Sequence, residues 1–321
     1  MRLNSEGRAP SGRSGVPVGS WAGRAAVAAV TVVALLAAVA APSGAVRRAT
    51  VGRAGPLPEY VALGDSYASG PVIAPQLADP AGCLRSGRDY PHLVAQAIGL
   101  QLTDATCGGA TTTDMTGPQT IADGLVGPQI DAVQPHTALV TLTVGGDDLG
   151  FSGIITNCLA LTPFGPTKVG LTCRDHYDPN GADQLTALLT GTAARLADTL
   201  ERIHAIAHRA RIFVVGYPAI LPASGDGCWP QMPFTLTDAN YLRSTELALN
   251  AMLARVAQAN GAAYVDTYTP SEAHNACQDE GARWIEPVIP TQPAAPVHPN
   301  AAGEAGMAAA VARAIRADTV I

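Results

Sequence analysis

The 321-residue chain is 47% hydrophobic and only 14% charged, which is enough apolar content to bury a large core and excludes a mainly disordered protein. Its 20 basic and 26 acidic residues leave a net charge of −6, with no Lys/Arg cluster beyond the N-terminal region, which argues against a nucleic-acid partner.

The N-terminal segment carries Arg2, Arg8, Arg13 and Arg24 against the single acid Glu6, and then an uncharged run from Ala25 to Ala41. A basic flank, a short apolar stretch and small residues at Ala38-Val39-Ala40 or Ser43-Gly44-Ala45 make a secretory signal peptide, expected over 1–45. An uncleaved anchor is the alternative, since the seventeen residues of Ala25–Ala41 sit at the lower edge of what spans a bilayer. The Ala-rich composition and the adjacent cleavage sites favour removal, so a secreted protein with no stable membrane anchor is expected. Losing four arginines and one glutamate with the segment takes the net charge from −6 to −9. A linker is expected over 46–58 and a single folded domain over 59–321.

Short apolar runs then alternate with helical patterns. Strands are expected at Glu59–Leu63, Gln101–Thr106, Ala138–Val144, Arg211–Gly216 and Ala262–Asp266, several of them continuously apolar, as buried parallel strands are. Between the third and fourth, Leu185, Leu188, Leu189, Leu196, Leu200, Ile203 and Ile206 are spaced for one helix face, predicting a helix over about 182–209. Further helices are expected over about 237–260 and about 300–317, the last with Asn300 as its N-cap. This alternation predicts an α/β domain, a parallel sheet covered by helices on both faces. Gly/Pro-rich stretches at 145–181, 218–236 and 267–299 read as long loops, of which 145–181 and 267–299 are expected to form the substrate walls.

Chemistry gathers at the expected strand ends. Gly64-Asp65-Ser66-Tyr67 follows the first strand directly, placing Ser66 at the carboxyl end of the sheet, where open α/β folds bind ligands. Cys107-Gly108-Gly109-Ala110 and Gly145-Gly146-Asp147-Asp148-Leu149-Gly150-Phe151 follow the second and third strands, and their backbone amides could stabilise an oxyanion. A nucleophilic serine needs a base, and His298, in Pro296-Val297-His298-Pro299-Asn300 just before the last helix, is the histidine whose position can reach it. His204 and His208 have the spacing of a metal pair but lack an acidic third ligand, and the other histidines read as surface or packing residues, so no metal is expected. Cys83, Cys107, Cys158, Cys173, Cys228 and Cys277 all follow the signal segment, which suggests three disulfides in an oxidising compartment. Fifteen pairings satisfy the count, and sequence neighbours suggest 83–107, 158–173 and 228–277.

These motifs, in this order, resemble the SGNH (GDSL-type) hydrolases, and more narrowly their secreted actinobacterial lipase/esterase branch with three disulfides. The resemblance runs from about Tyr60 to the C-terminus. It implies a three-layer α/β/α, flavodoxin-like fold with a five-stranded parallel sheet, hydrolysis of carboxylic esters without a cofactor, and the same cysteine pairing. It carries the nucleophile onto Ser66, oxyanion donors onto the Ser66 and Gly109 amides, and the base onto His298. Two departures stand out. Asp147 occupies the position of a third donor that is Asn in the family, and an ionised carboxylate cannot donate. It is expected to stay ionised, satisfied by the amides of its own turn. Ala295 stands where the family usually has an acid three residues before the histidine, so a Ser–His dyad is expected, with the Ala295 or Pro296 carbonyl orienting the imidazole. The expected protein is thus a secreted serine hydrolase, monomeric, acting on lipid or fatty-acyl esters. Two other readings stay open: an O-acetyl esterase of polysaccharide or cell-wall glycan, and a non-catalytic binding protein whose oxyanion hole is impaired at Asp147.

Overall fold

The computed structural model describes residues 59–161, 172–225 and 227–318; the expected signal peptide (1–45), the linker (46–58) and part of the expected 145–181 loop lie outside the described residues. In chain order the strands are β1 (Glu59–Gly64), β2 (Gln101–Asp104), β3 (Gln119–Ile121), β4 (Gly124–Val126), β5 (Thr137–Thr143), β6 (Arg211–Val215) and β7 (Ala263–Val265). The helices are α1 (Ser66–Ser69), α2 (Tyr90–Ile98), α3 (Phe151–Leu161), α4 (Cys173–Tyr177), α5 (Gln184–Ile206), α6 (Leu236–Ala259), α7 (Tyr268–Ser271) and α8 (Ala301–Asp318).

Five strands pair in parallel in the order β2-β1-β5-β6-β7, while β3 and β4 form a separate antiparallel hairpin. Among the five, this is the flavodoxin-like order, whose switch point lies between the first strand and its later neighbour, here β1 and β5. Alternate side chains of each strand serve opposite faces. Val61, Leu63, Val140, Leu142, Ile212 and Val214 pack with Leu196, Leu200 and Ile203 of α5 and Leu249 and Leu253 of α6. Tyr60, Ala62, Leu139, Phe213 and Val215 pack with Val94 of α2 and Met307, Val311 and Ile315 of α8. Helices therefore cover both faces, giving the expected three-layer architecture.

The five expected sheet strands and three long helices are all present, with shifts at their ends. β2 stops at Asp104 because its Oδ1 accepts from the Thr106 amide (3.0 Å) and hydroxyl (2.7 Å), a side-chain turn that competes with the ladder. Of the seven apolar positions on α5, Leu188 is exposed while Leu185, Leu189, Leu196, Leu200 and Ile203 are buried. The expected loop at 145–181 is corrected: it contains α3 and α4, the latter started by Thr172 and Asp175 in a capping box. The 267–299 stretch likewise carries the short α7.

Disulfides join Cys83–Cys107, Cys158–Cys173 and Cys228–Cys277, the pairing expected from sequence neighbours. They close separations of 24, 15 and 49 residues, so each should stabilise the fold by about 3–4 kcal/mol through the unfolded chain. Reduction before a thermal melt is expected to lower Tm well beyond the effect of a typical single surface substitution. An unchanged Tm in fully reduced protein would show that the bridges restrain little.

Candidate active site

β1 delivers Ser66 to the carboxyl end of the sheet through a turn that only glycine fits. Gly64 has φ +152°, and a Cβ there would sit 2.5 Å from the Thr143 carbonyl oxygen of β5. Gln129 clamps the same residue, accepting from its amide (2.7 Å) and donating to its carbonyl (2.9 Å). Asp65 then caps α1 by accepting from the Tyr67 amide at 2.9 Å, so Ser66 opens a one-turn helix with its side chain free to act.

The loop before α8 brings His298 to Ser66. Its Nε2 lies 2.7 Å from Ser66 Oγ and its Nδ1 lies 2.7 Å from the Pro296 carbonyl. A carbonyl only accepts, so Nδ1 carries the proton and Nε2 presents its lone pair to the hydroxyl. Of the two candidate orienting carbonyls, that of Pro296 meets the imidazole, while that of Ala295 accepts from the His298 amide at 3.2 Å. Burial pushes the His298 pKa down, against the opposing pull of the Pro296 hydrogen bond, which keeps the ring neutral near pH 7. Among the described residues no carboxylate forms an ion pair with it.

Several residues invisible to motif reading hold this loop. Tyr67 donates to the Val297 carbonyl at 2.6 Å and stacks at a tilt on the His298 ring, centroids 4.9 Å apart. Val297 has φ +60°, a costly conformation for a β-branched residue, and the Tyr67 contact helps hold it. The His298 carbonyl accepts from the Glu286 amide (2.9 Å), and Asn300 joins Glu286 to the start of α8 through its side chain, which also caps that helix. Tyr217 donates to Asp65 and accepts from the Gly146 amide at 2.9 Å, tying the turn after β1 to the turn after β5. The hydrogen bonds of the two tyrosines join residues 71 to 230 apart in sequence, and no local pattern announces them.

The turn after β2 is drawn in by the Cys107 amide, which donates to the Gly64 carbonyl at 2.9 Å. Gly109 adopts φ +77° there. Neither the Ser66 nor the Gly109 amide finds an acceptor among the described residues. Asp148 anchors the third turn, accepting from the Thr112 amide (2.8 Å) and hydroxyl and pairing with Arg195 at 2.8 Å. Asp147 behaves otherwise. No donor from its own turn reaches its carboxylate: the Gly146 amide goes to Tyr217 and the Gly150 amide to the Asp147 carbonyl. Burial, then the charges of Asp148 and Asp114, push its pKa up to about 6. The expectation of a carboxylate satisfied by its own turn is therefore corrected.

Beside Ser66 opens a pocket whose walls are mainly apolar: Phe151, Ile154 and Ile155 of α3, Ile220 and Leu221 of the loop after β6, Phe234, and Leu242 and Leu249 of α6. Glu246 also faces it, and burial raises its pKa to about 8 against the Ile220 amide and Arg243, so this wall is largely uncharged at neutral pH. Of the two stretches expected as walls, 145–181 lines this pocket and 267–299 does not; its place is taken by 218–236 and α6.

Fold and site together define the class: a hydrolase of the three-layer α/β type. The chain matches the GDSL-like Lipase/Acylhydrolase family over residues 62–305. It is 41% identical to Lipase 2 of Streptomyces coelicolor over 268 residues, covering 82% of this chain and 88% of that protein. To Lipase 1 of the same organism it is 30% identical over 248 residues, 77% and 82% of the two chains. Among solved structures it resembles phospholipase A1 from Streptomyces albidoflavus NA297 and the extracellular lipase of Streptomyces rimosus, each with TM-score 0.65, 26% identity, and coverage of 81% of this chain and 99% of the other. The chain belongs to the GDSL-like lipase/acylhydrolase family and is a carboxylic ester hydrolase.

Proposed function

We propose that the protein is a secreted, monomeric serine hydrolase of fatty-acyl esters, working through an acyl-enzyme and without a cofactor. The observation that carries this reading is the Ser66–His298 hydrogen bond of 2.7 Å at the mouth of an apolar pocket. Ser66 Oγ attacks the ester carbonyl as His298 Nε2 takes its proton; the imidazolium then protonates the departing alcohol. Water attacks the acyl-enzyme by the same route, and the acid leaves with Ser66 restored. The Ser66 and Gly109 amides, both without an acceptor, are the proposed oxyanion donors. The expected signal peptide and the three disulfides support export. The apolar walls favour an acyl chain over a bare acetyl group. Activity on p-nitrophenyl octanoate or palmitate is therefore expected to exceed that on the acetate, with little release from acetylated xylan. Efficient deacetylation of xylan, with no gain from chain length, would favour the glycan esterase instead.

Asp147 impairs this hole when ionised. With its pKa at about 6, it is mostly a carboxylate at pH 8 and increasingly a neutral, donating acid below pH 6. One oxyanion donor is typically worth about 10²–10³ in kcat, so Asp147→Asn is expected to raise kcat at pH 8 by roughly tenfold or more. The advantage of the variant should shrink towards pH 5, as the wild-type carboxyl gains its proton. A folded variant with unchanged or lower kcat at pH 8 would return Asp147 to a structural or substrate-binding role.

A further inference from the structure

Away from the active site, a second set of polar side chains lacks the partners that its burial demands. Asp89 precedes α2 and is fully buried; Asp104 ends β2; His92 lies in the first turn of α2. His92 Nδ1 is 2.7 Å from Asp89 Oδ1 and 3.8 Å from Asp104 Oδ2, and one ligand atom from each residue lies within 4.8 Å of the others. The Asp104 side chain is only 6% exposed, and its Oδ2 has no hydrogen-bond partner yet faces the imidazole. Asp89 Oδ2 is also buried without a partner, as is Oε1 of Glu304, whose other oxygen accepts from the Tyr90 amide at 2.7 Å. The neighbouring cation does not resolve this: Arg85 directs Nη1 to the Asp104 backbone carbonyl at 2.5 Å, and its Nε is itself unpartnered. Buried carboxylate oxygens left unpaired are costly, and such groups are normally paired or ligate metals.

We propose that Asp89, His92 and Asp104 bind one divalent transition cation of the zinc type, at a site separate from the Ser66 pocket. Zinc takes imidazole nitrogen and carboxylate oxygen at about 2.0–2.2 Å, which in a tetrahedral site sets ligands about 3.4 Å apart. The 3.8 Å edge is close to that spacing, and the 2.7 Å edge is a hydrogen bond that opens once its proton leaves. An imidazole with two carboxylates suits zinc-type ions better than calcium, which prefers six to eight oxygens. His92 is 30% exposed, leaving an entry path from solvent. The ion would brace the end of β2, from which the Cys107-Gly108-Gly109 turn leaves. Motif reading assigns His92 only a surface or packing role, because its partners are brought to it by the fold.

The test is calorimetric titration of the chelator-treated, exported protein with ZnCl2, alongside thermal melts. One ion per chain and a raised Tm are expected, and His92→Ala and Asp104→Asn should each weaken binding by about a hundredfold or more. His204→Ala, a control at a histidine that instead bonds the Asn260 carbonyl, should bind as wild type. Retained hydrolysis of p-nitrophenyl octanoate would report that His92→Ala is folded, and cobalt absorption would report nitrogen and oxygen ligation. Absence of heat and of any Tm shift with Zn²⁺ or Co²⁺, or binding that survives both substitutions, overturns the proposal.

Discussion

Ser66→Ala is expected to abolish ester hydrolysis, lowering kcat by on the order of 10⁶, while the protein stays folded. The fold should survive because the cap of α1 comes from Asp65 and the turn before it from Gly64 and Gln129, not from the Ser66 hydroxyl. The side-chain contact recorded for Ser66 is to His298, and its loss leaves the imidazole still held by Pro296. Rate on p-nitrophenyl octanoate and Tm should be measured on the same preparation. A stable variant that kept more than about a tenth of the rate would remove Ser66 as nucleophile.

The chemistry at the strand ends was legible because it is local. Gly64-Asp65-Ser66 must follow an apolar strand to be exposed at the sheet edge, and the sequence contains both strand and turn. His298 was legible for a related reason, since an N-cap at Asn300 fixes where the last helix starts and what projects before it. What could not be read is whatever depends on long-range closure. Tyr217 acts on Asp65 across 152 residues and Tyr67 on Val297 across 230, and neither tyrosine differs locally from a core aromatic. Helix α2 does carry a local signature, with Asp89 as cap, Pro91 in the first turn and Gly99 at the left-handed end. The pocket wall on α3 was obscured by Gly and Pro in the surrounding stretch, which outweighed an apolar segment at Phe151, Ile154 and Ile155. Asp147 shows a different limit: its identity was plain, but its protonation depends on burial and on Asp148 and Asp114, which only the fold assembles.

His298→Ala should match Ser66→Ala, at about 10⁶ in kcat, because nucleophile and base act as one unit. No single neutralisation among Asp266, Glu272, Asp279, Glu280 and Glu286 should approach it. The carboxylate of a Ser-His-Asp triad is worth about 10⁴ in kcat, and here the Pro296 carbonyl occupies the position such a group would take, 2.7 Å from Nδ1. Glu286 is the demanding case. It is fully buried, pairs with Arg283 through both oxygens at 3.0 Å, and accepts from Asn300 and from the Thr291 and Gln292 amides. Burial works to raise its pKa, but those hydrogen bonds outweigh it and hold the carboxyl below its ordinary value. Breaking a buried ion pair from one side costs about 3–5 kcal/mol, so Glu286→Gln should lower stability by up to that amount, while the backbone amide of residue 286 that holds the His298 carbonyl stays in place. Its damage should therefore appear first in Tm, with a kcat loss far below 10⁴ at temperatures where the variant is folded. The pH profile separates the roles: a neutral His298 with a lowered pKa predicts that activity persists below pH 6.5 and falls only on further acidification, in wild type and Glu286→Gln alike. A loss near 10⁴ from any one of these acids, in a variant whose Tm is unchanged, would replace the dyad by a triad.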